Sequence, residues 1–342
     1  MLRWMSSVIV LGLLALHITV QADSADSFGV ASSQVTREDA PAGYRLPIQQ
    51  NTDSSELLRW SPPELVNPQI VSLFAESPSL LRLDVNQDYI IQMPPQPFLR
   101  GLVIEGGHNV VLIGGEIYIP WQGDNPSISS RTALKIYGST GTVHIEGLLL
   151  NGEDISEGIQ IDAPAATIQL QNIGIFNMRA RDQVNFSDNH PDLVQTYGNV
   201  AELRIDRFTG TSDYQGLFFK ADYNGPHGAI HISRTNIIGE PTARQLIWFQ
   251  QQEGAGPVTL EDVWVDVPDG KNFGHAVWPA ANGGFPAQAQ IVYNANTQTA
   301  SWPPSMTPSI EGLVFEGVPP EGNFVNPEDV GINYVSPGYM GT

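Results

Sequence analysis

A lysine and an arginine in successive repeats of one sequence pattern are the residues best suited to chemistry in this chain. Lys220 is one of three lysines and ends an otherwise largely aromatic run, and Arg244 follows 24 residues later. A partly desolvated lysine near arginines has a lowered pKa and can act as a base. An arginine can neutralise a carboxylate and so make a neighbouring C–H group acidic. The pair predicts proton abstraction from an anionic substrate.

Tyr197 and His190 are the candidate acids for the same reaction. In β-elimination of a uronic-acid polymer, a cation neutralises the carboxylate, a base removes the C5 proton and an acid protonates the leaving oxygen. Histidine suits proton transfer because its ordinary pKa lies near neutrality. The sequence predicts Lys220 as the base, Arg244 or Arg204 as the neutralising cation, and Tyr197 or His190 as the acid.

The loop that contains His190 also carries acidic residues that suit a cation. Asp188 and Asp192 flank the histidine, and their carboxylates together with backbone oxygens could bind Ca²⁺. Ca²⁺ is the one cofactor that the sequence allows for, and the sequence requires none. Two other interpretations stay open: His190 to Asp192 form a turn in which Asp192 accepts local backbone hydrogen bonds, and Lys220 is a solvated side chain weakly paired with Asp222.

Hydrolysis of a glycosidic bond is a second kind of chemistry that this chain could support. It needs two carboxyl groups roughly 5 to 10 Å apart across the scissile bond. The sequence offers Asp162 with Asp192, or Asp188 with Asp192. Neither pair is favoured by its spacing, so elimination is the leading hypothesis and hydrolysis a further alternative.

The candidate residues lie on or beside short runs that share one pattern. Runs that begin at Glu157, Asp192, Gln215, Gln245 and His275 align residue by residue, with starts separated by 35, 23, 30 and 30 positions. Side chains alternate between the two faces of a strand. One set of positions is almost entirely apolar and predicts an interior made of Ile159, Val194, Leu217, Ile247 and Val277, followed by Ile161, Thr196, Phe219, Phe249 and Pro279.

The opposite face of these runs carries a row of aromatic residues. Phe218, Trp248 and Trp278 occupy the same position in three successive runs. Neighbouring strands lie about 4.8 Å apart, so the rings would stack, and exposed apolar rows mark binding surfaces. The alternative is that a loop folds over the rings and buries them. The sequence predicts a glycan-binding surface that consists of Phe218, Trp248, Trp278, Gln195, Arg204 and His275.

Six further segments repeat a strand, turn and strand pattern along the chain. Each alternates apolar and polar residues, turns through two polar or small residues, and resumes with an apolar residue. The first residues of the turns are separated by 25, 35, 27, 28 and 50 positions, and the last interval is interpreted as two repeats; these residues are Glu146, Gln171, Asp206, Ser233, Glu261 and Glu311. A strand-based period of this size is typical of a solenoid. The predicted fold is all-β, a single-stranded right-handed parallel β-helix with an N-terminal capping segment.

The first 22 residues predict a cleaved signal peptide. Arg3 gives a basic start, residues 8 to 20 form a largely apolar run of 13, and small residues follow. Such a run is too short to span a bilayer as a helix. We therefore expect a secreted or periplasmic protein, with no membrane insertion after cleavage. The chain has no cysteine, so disulfides do not stabilise it.

The rest of the chain is expected to divide into three segments. Residues 23–84 are expected to form a leader and an N-terminal cap, with short helices near 54–60 and 67–81. Residues 85–318 are expected to form the β-helix. Residues 319–342 are rich in proline and glycine and predict a covering tail.

Charge limits the partners of the chain. It carries 16 Lys and Arg against 36 Asp and Glu, a formal net charge of −20. Such a surface repels nucleic acid and anionic membranes. Residues 179 to 244 are close to neutral, with seven cations against eight acids. An acidic polysaccharide or another glycan is the predicted partner, bound by a monomer.

The repeats, the predicted signal peptide and the outward aromatic row resemble the pectate-lyase-like superfamily of right-handed parallel β-helix proteins. The resemblance covers roughly residues 85 to 318, and Lys220 with Arg244 resembles the base and arginine layout of lyases of this fold. It implies an exported polysaccharide lyase that acts on a uronate-containing glycan. A non-catalytic glycan-binding or surface-structural β-helix is the alternative. The chain lacks the Trp-x-Asp-His segment of pectate lyases and the Gly-His-Gly segment of polygalacturonases, so no single named activity follows.

Overall fold

The structure is a computed structural model that describes residues 57–181, 190–220, 225–251, 254–281 and 291–340. Only the backbone is described for residues 220, 250, 251 and 279–281. Asp188, one of the two predicted Ca²⁺ ligands, and Asp222 lie outside the described residues.

The described chain is all-β and has parallel strands in one long sheet. Its one α-helix is the short α1 (Phe273–Ala276), and 3₁₀ turns cover Ile128–Ser130 and Pro327–Asp329. None of the described helices is long and apolar enough to cross a membrane. The strands are β1 (Gln69–Ser72), β2 (Leu80–Leu83), β3 (Tyr89–Gln92), β4 (Leu102–Gly106), β5 (Val110–Ile113), β6 (Glu116–Ile119), β7 (Thr132–Tyr137), β8 (Thr142–Glu146), β9 (Leu149–Gly152), β10 (Glu157–Met178), β11 (Asp192–Ser212), β12 (Leu217–Lys220), β13 (Ala229–Gly239), β14 (Ile247–Gln251), β15 (Val258–Asp266), β16 (Val277–Ala281), β17 (Val292–Asn294), β18 (Thr299–Ser301), β19 (Ile310–Glu311) and β20 (Val314–Glu316).

The parallel pairings arrange these strands in three rows. The first row runs through β2, β4, β7, the starts of β10 and β11, β12, β14 and β16. The second row runs through β1, β3, β5, β8, the middles of β10 and β11, β13, β15 and β19. The third row contains β6, β9, the ends of β10, β11, β13 and β15, and β20. Each passage of the chain therefore places equivalent positions side by side.

The predicted register of the first row is confirmed. Ile159 pairs with Val194, and the column continues through Leu217, Ile247 and Val277. All five side chains are fully buried, as predicted for the inward face. Full burial of one such side chain stabilises the fold by roughly 1.5–3 kcal/mol. The apolar alternation therefore fixes which side of each first-row strand faces out.

The turns between the second and third rows use left-handed backbone. The residue after each predicted turn marker has a positive φ: 69° at Gly147, 53° at Asn172, 52° at Arg207, 40° at Arg234 and 57° at Asp262. Glycine adopts this conformation without cost, and asparagine and aspartate tolerate it better than most residues. The paired markers Glu146, Gln171, Asp206, Ser233 and Glu261 are confirmed as one column.

The sixth marker was placed wrongly by the sequence pattern. Glu311 pairs with Thr259 and not with Glu261. Because β19 pairs directly with β15, the interval of 50 residues is one passage of the chain with a long insertion, and not two repeats. The described part of that insertion includes an antiparallel hairpin in which Val292 pairs with Ser301.

The interpretation of residues 67–81 as helical is wrong. This stretch contains β1 and reaches the start of β2, both of which pair in parallel with later strands. Alternation of apolar and polar residues here was too short to separate a period of two from a helical period. The parallel pairing begins at Gln69, earlier than the expected position 85.

The residues before β1 cross the second row as a strap, which we define as residues 57–66. Backbone N–H groups of Arg59, Trp60 and Val66 donate to Asp206 Oδ2 at 3.1 Å, Gln171 Oε1 at 2.9 Å and Asp88 Oδ2 at 2.6 Å. The strap thus donates backbone hydrogen bonds to side chains in three separate strands or turns. No helical cap is present in the described residues 57–68.

The C-terminal tail lies against the same strap. Leu58 forms a parallel bridge with Tyr339, and its N–H donates to the Gly338 carbonyl at 3.0 Å. The hydroxyls of Tyr334 and Tyr339 donate to the buried Glu146 carboxylate at 2.7 and 2.5 Å. These contacts hold residues from both ends of the described chain over one polar column.

Candidate functional site

A cleft of about 630 Å³ lies over the first row, where β4, β7, β10 and β11 run side by side. Lys135 of β7 pairs with Gln160 of β10, and the neighbours of Lys135, Leu134 and Ile136, are fully buried. Alternation therefore turns Lys135 outward into the cleft. Arg100, Lys135, Gln160, His190 and Tyr197 are among the fourteen described residues that line the cleft, and none of the fourteen is Asp or Glu.

His190 connects this cleft to two buried carboxylates. Its Nδ1 lies 3.5 Å from Oε1 of Glu157 and 3.8 Å from Oδ2 of Asp192. Glu157 and Asp192 are direct partners at the first positions of β10 and β11, which places their side chains on adjacent strands. The His190 side chain is 22% exposed, whereas both carboxylates are buried. A ligand in the cleft can therefore reach the imidazole but not the acids behind it.

Burial and mutual charge change the proton affinities of this group. Loss of solvent and the nearby Asp192 charge raise the pKa of Glu157 to about 8, against an opposing effect of His190. The Asp192 and Glu157 carboxylates raise the pKa of His190 to about 10. While Glu157 keeps its own proton, the Asp192 carboxylate is the charge that holds the proton of His190. At neutral pH, His190 is therefore a cation at the cleft wall.

A second buried ion network lies beside the carboxylates. Arg131 is fully buried, and its Nε donates to Asp154 Oδ1 at 2.9 Å. Arg181 binds the other carboxylate oxygen, with 3.1 Å between Nη1 and Oδ2. Burial lowers the pKa of Arg131, while the Asp154 charge raises it. The network ties Arg131, directly before β7, to Asp154, which lies between β9 and β10.

Glu157, His190 and Asp192 are also the described residues that could hold a divalent cation. One donor atom from each lies within 4.8 Å of the other two. Two carboxylates and an imidazole are ligands that several divalent metals accept. Asp192 was predicted as a ligand together with Asp188; the structure places Glu157 beside Asp192, and Asp188 lies outside the described residues. A proton on His190 competes with a metal for the same carboxylates.

The predicted pairing of Lys220 with Arg244 stays a prediction, because the Lys220 side chain lies outside the described part of the chain. The backbone of Lys220 ends β12, one residue after the partner of Thr196, but its side chain lies outside the described part. Arg244 is exposed, and its guanidinium lies 4.9 Å from the ring centre of Tyr214. Arg244 is not among the described residues that line the cleft.

Arg204 lies in a different row of strands from the predicted surface. It lies in the second-row part of β11, and its Nη2 binds Glu202 Oε2 at 2.7 Å. Its guanidinium lies 5.8 Å from the ring centre of Trp60 in the strap. Neither Arg204 nor Glu202 is among the residues described at the cleft. Its predicted roles as neutralising cation and substrate ligand stay predictions, and its position in the second row does not favour them.

The predicted aromatic row exists, but it is not an exposed surface. Ring centres are 4.8 Å apart for Phe218 and Trp248 and 5.1 Å apart for Trp248 and Trp278. Trp278 is only 7% exposed, and the other two are half-buried. Gln195, at the equivalent position of β11, is also buried. The stacking prediction is confirmed, and the prediction of an open platform is wrong for Trp278 and Gln195.

His275 was expected at the start of a first-row strand, and it lies in α1 instead. It is exposed and is not one of the described cleft residues. The N-cap Asn272 begins this helical turn by accepting a hydrogen bond from the Gly274 N–H at 2.8 Å. A capped turn overrides the strand pattern at this point.

Sequence reasoning missed Glu157, Arg100 and Lys135. Glu157 was noticed only as the start of an aligned run, although its alignment with Asp192 already placed two acids on adjacent strands. Lys135 lies in β7, before the repeats that were aligned closely. Because Lys135 pairs with Gln160, aligning β7 with the later repeats would have added Lys135 to the outward column that contains Gln160 and Gln195.

Comparison of this chain with protein-family models, with curated proteins and with solved structures finds no match.

Proposed function

We propose that this protein is an exported right-handed parallel β-helix that cleaves a uronate-containing glycan by β-elimination in the cleft beside His190. The three rows of parallel pairings, repeated at each passage of the chain, support the solenoid. Parallel crossovers are almost always right-handed. The resemblance to the pectate-lyase-like superfamily supports the substrate class.

The charge of the cleft carries the proposal. Arg100, Lys135 and the protonated His190 line it, and its described wall contains no acid. The whole chain has a formal net charge of −20, so a cationic cleft stands out from its surroundings. Clefts lined by one sign of charge concentrate ligands of the opposite sign. A polymer with one carboxylate per sugar fits this field.

The residues of the cleft can supply each step of an elimination. Lys135 and Arg100 neutralise the uronate carboxylate, which makes the C5 proton acidic. The base that takes that proton is either Tyr197 with its hydroxyl ionised or Lys220 with its amine uncharged; Tyr197 is 43% exposed at the cleft wall. The C5–H electron pair forms the C4=C5 double bond, and the C4–O bond breaks. His190, which holds a proton at neutral pH, donates it to the leaving oxygen.

Hydrolysis receives less support from the geometry. Glu157 and Asp192 have the carboxyl chemistry of a glycoside hydrolase, and the pKa of Glu157 is raised to about 8. Both side chains are 0–1% exposed, however, so a sugar in the cleft does not touch them. Their role in the proposed reaction is to position His190, and the Asp192 charge holds its proton.

The test is an elimination assay on purified protein with alginate, polygalacturonate, glucuronan and chondroitin, followed by the ultraviolet absorbance of the unsaturated uronate. Replacement His190→Gln should lower kcat/KM by roughly 100-fold or more. Lys135→Ala should lower it strongly, whereas Lys271→Ala, an exposed lysine outside the cleft, is the matched control. Tyr197→Phe and Lys220→Ala decide which residue is the base.

Three results would refute the proposal in different ways. New reducing ends without unsaturated product would indicate hydrolysis. Glycan binding without any turnover would indicate a binding module. Equal losses in the Lys135 and Lys271 variants would show that the cationic cleft is not the site.

A further inference from the structure

Trp121 is an exposed aromatic residue that the protein holds firmly beside the cleft. It follows β6 and is 53% exposed. The next residue, Gln122, lines the cleft. Single exposed aromatic residues are common and need no function. The surroundings of Trp121 set it apart.

One face of the indole is supported by an anchored guanidinium. The Arg181 guanidinium lies 3.9 Å from the ring centre of Trp121, and Arg181 itself is bound to Asp154 at 3.1 Å. Asp154 is 1% exposed and is held in turn by the fully buried Arg131. A planar guanidinium stacks well on an aromatic face. The ring therefore rests on a chain of contacts that ends in the core.

The backbone on both sides of the ring is fixed by the same elements. The Trp121 N–H donates to Glu153 Oε2 at 3.1 Å, and the Gln122 N–H donates to Asp154 Oδ2 at 3.1 Å. Asp154 thus binds two arginines and the backbone at the cleft wall. The ring is preorganised, so a ligand that binds it does not have to order it.

We propose that Trp121 is a sugar-stacking platform at the mouth of the cleft, which receives the pyranose ring of a glycan unit next to the one held by Lys135. With one face against Arg181, the exposed surface of the indole is available to the apolar C–H face of a sugar. Gln122, the residue after Trp121, lines the cleft that also contains Arg100 and Lys135. The sugar on Trp121 is therefore part of the same anionic glycan. This inference rests on the proposed function of that cleft.

The test compares the binding of the purified protein to uronate polymers and to neutral glycans by affinity electrophoresis. Trp121→Ala should weaken binding roughly five- to tenfold, and Trp121→Phe should keep part of the affinity. Trp264→Ala is the matched control, since that half-exposed residue stacks on Phe315 with 4.7 Å between ring centres, away from the cleft. Circular dichroism of each variant checks that it is folded.

The outcomes separate the platform from the elimination reaction. Binding of Trp121→Ala within twofold of the wild type, or an equal loss in Trp264→Ala, would overturn the platform. Trp121-dependent binding without elimination would support the platform and refute only the reaction. If the wild type binds no glycan at all, both are refuted.

Discussion

Replacement Glu157→Gln should remove a pH dependence of stability that the buried carboxyl creates. The unfolded carboxyl releases its proton near pH 4.5, whereas the folded one, buried beside Asp192, releases it near pH 8. Between these values the folded chain holds one proton more than the unfolded chain. The contribution of Glu157 to the free energy of unfolding therefore falls as the pH rises from about 4.5 to about 8.

The size of the effect follows from the same two pKa values. Each pH unit in this window is worth about 1.4 kcal/mol for one proton. Between pH 5.5 and 8, wild-type protein should lose about 3 kcal/mol that an uncharged glutamine does not lose. Glu157→Gln should thus become more stable relative to wild type by that amount as the pH rises.

Urea unfolding followed by tryptophan fluorescence at pH 5.5, 6.5, 7.5 and 8 measures this difference by linear extrapolation. Glu321→Gln is the matched control, because that glutamate is exposed. The wild type and Glu321→Gln should share one pH slope, and Glu157→Gln should have a flatter one. An unchanged slope in Glu157→Gln, or a wild-type stability that rises over this range, would refute the buried and protonated state of Glu157.

Two further predictions concern the contacts around the cleft. Replacement Asp154→Asn leaves Arg131 as a buried charge without its carboxylate, so the free energy of unfolding should fall by about 3–5 kcal/mol. The control is Asp124→Asn, an exposed position that should change stability little. Equal losses in both variants would contradict the network. Trp278→Ala leaves a cavity at a buried site against Trp248, so the free energy of unfolding, measured with heat or urea, should fall by about 3–5 kcal/mol. A loss of glycan affinity with unchanged stability would instead indicate that Trp278 binds the glycan.

The fold was predictable where side chains alternate in every passage. The inward positions from Ile159 to Val277 carry bulky apolar groups at a period of two, and a shift by one residue would expose all of them. The turn column from Glu146 to Glu261 was predictable because its left-handed residues follow at a constant distance. Residues 67–81 offered too few alternations, and the long insertion before Glu311 obscured its register.

The site was less predictable because loops and edges build it. The contact of His190 with Glu157 joins residues 33 positions apart in the sequence, and no local pattern encodes it. The burial of Trp278 likewise depends on what packs beside the row, and not on alternation along one strand. Charge composition pointed to an anionic ligand, but only the pairing of strands places Lys135 beside Gln160.

The strap has a consequence for how the chain comes apart. In an array where each layer touches only its neighbours, the end layers can fray while the middle stays intact. Here Arg59 reaches Glu261 at 2.6 Å, Val66 reaches Asp88, and Leu58 pairs with Tyr339, so one short segment is tied to early, late and terminal parts of the chain. Fraying at either end would break strap contacts that the other end shares. The strap should therefore couple the layers, so that they unfold cooperatively and not one by one from the ends.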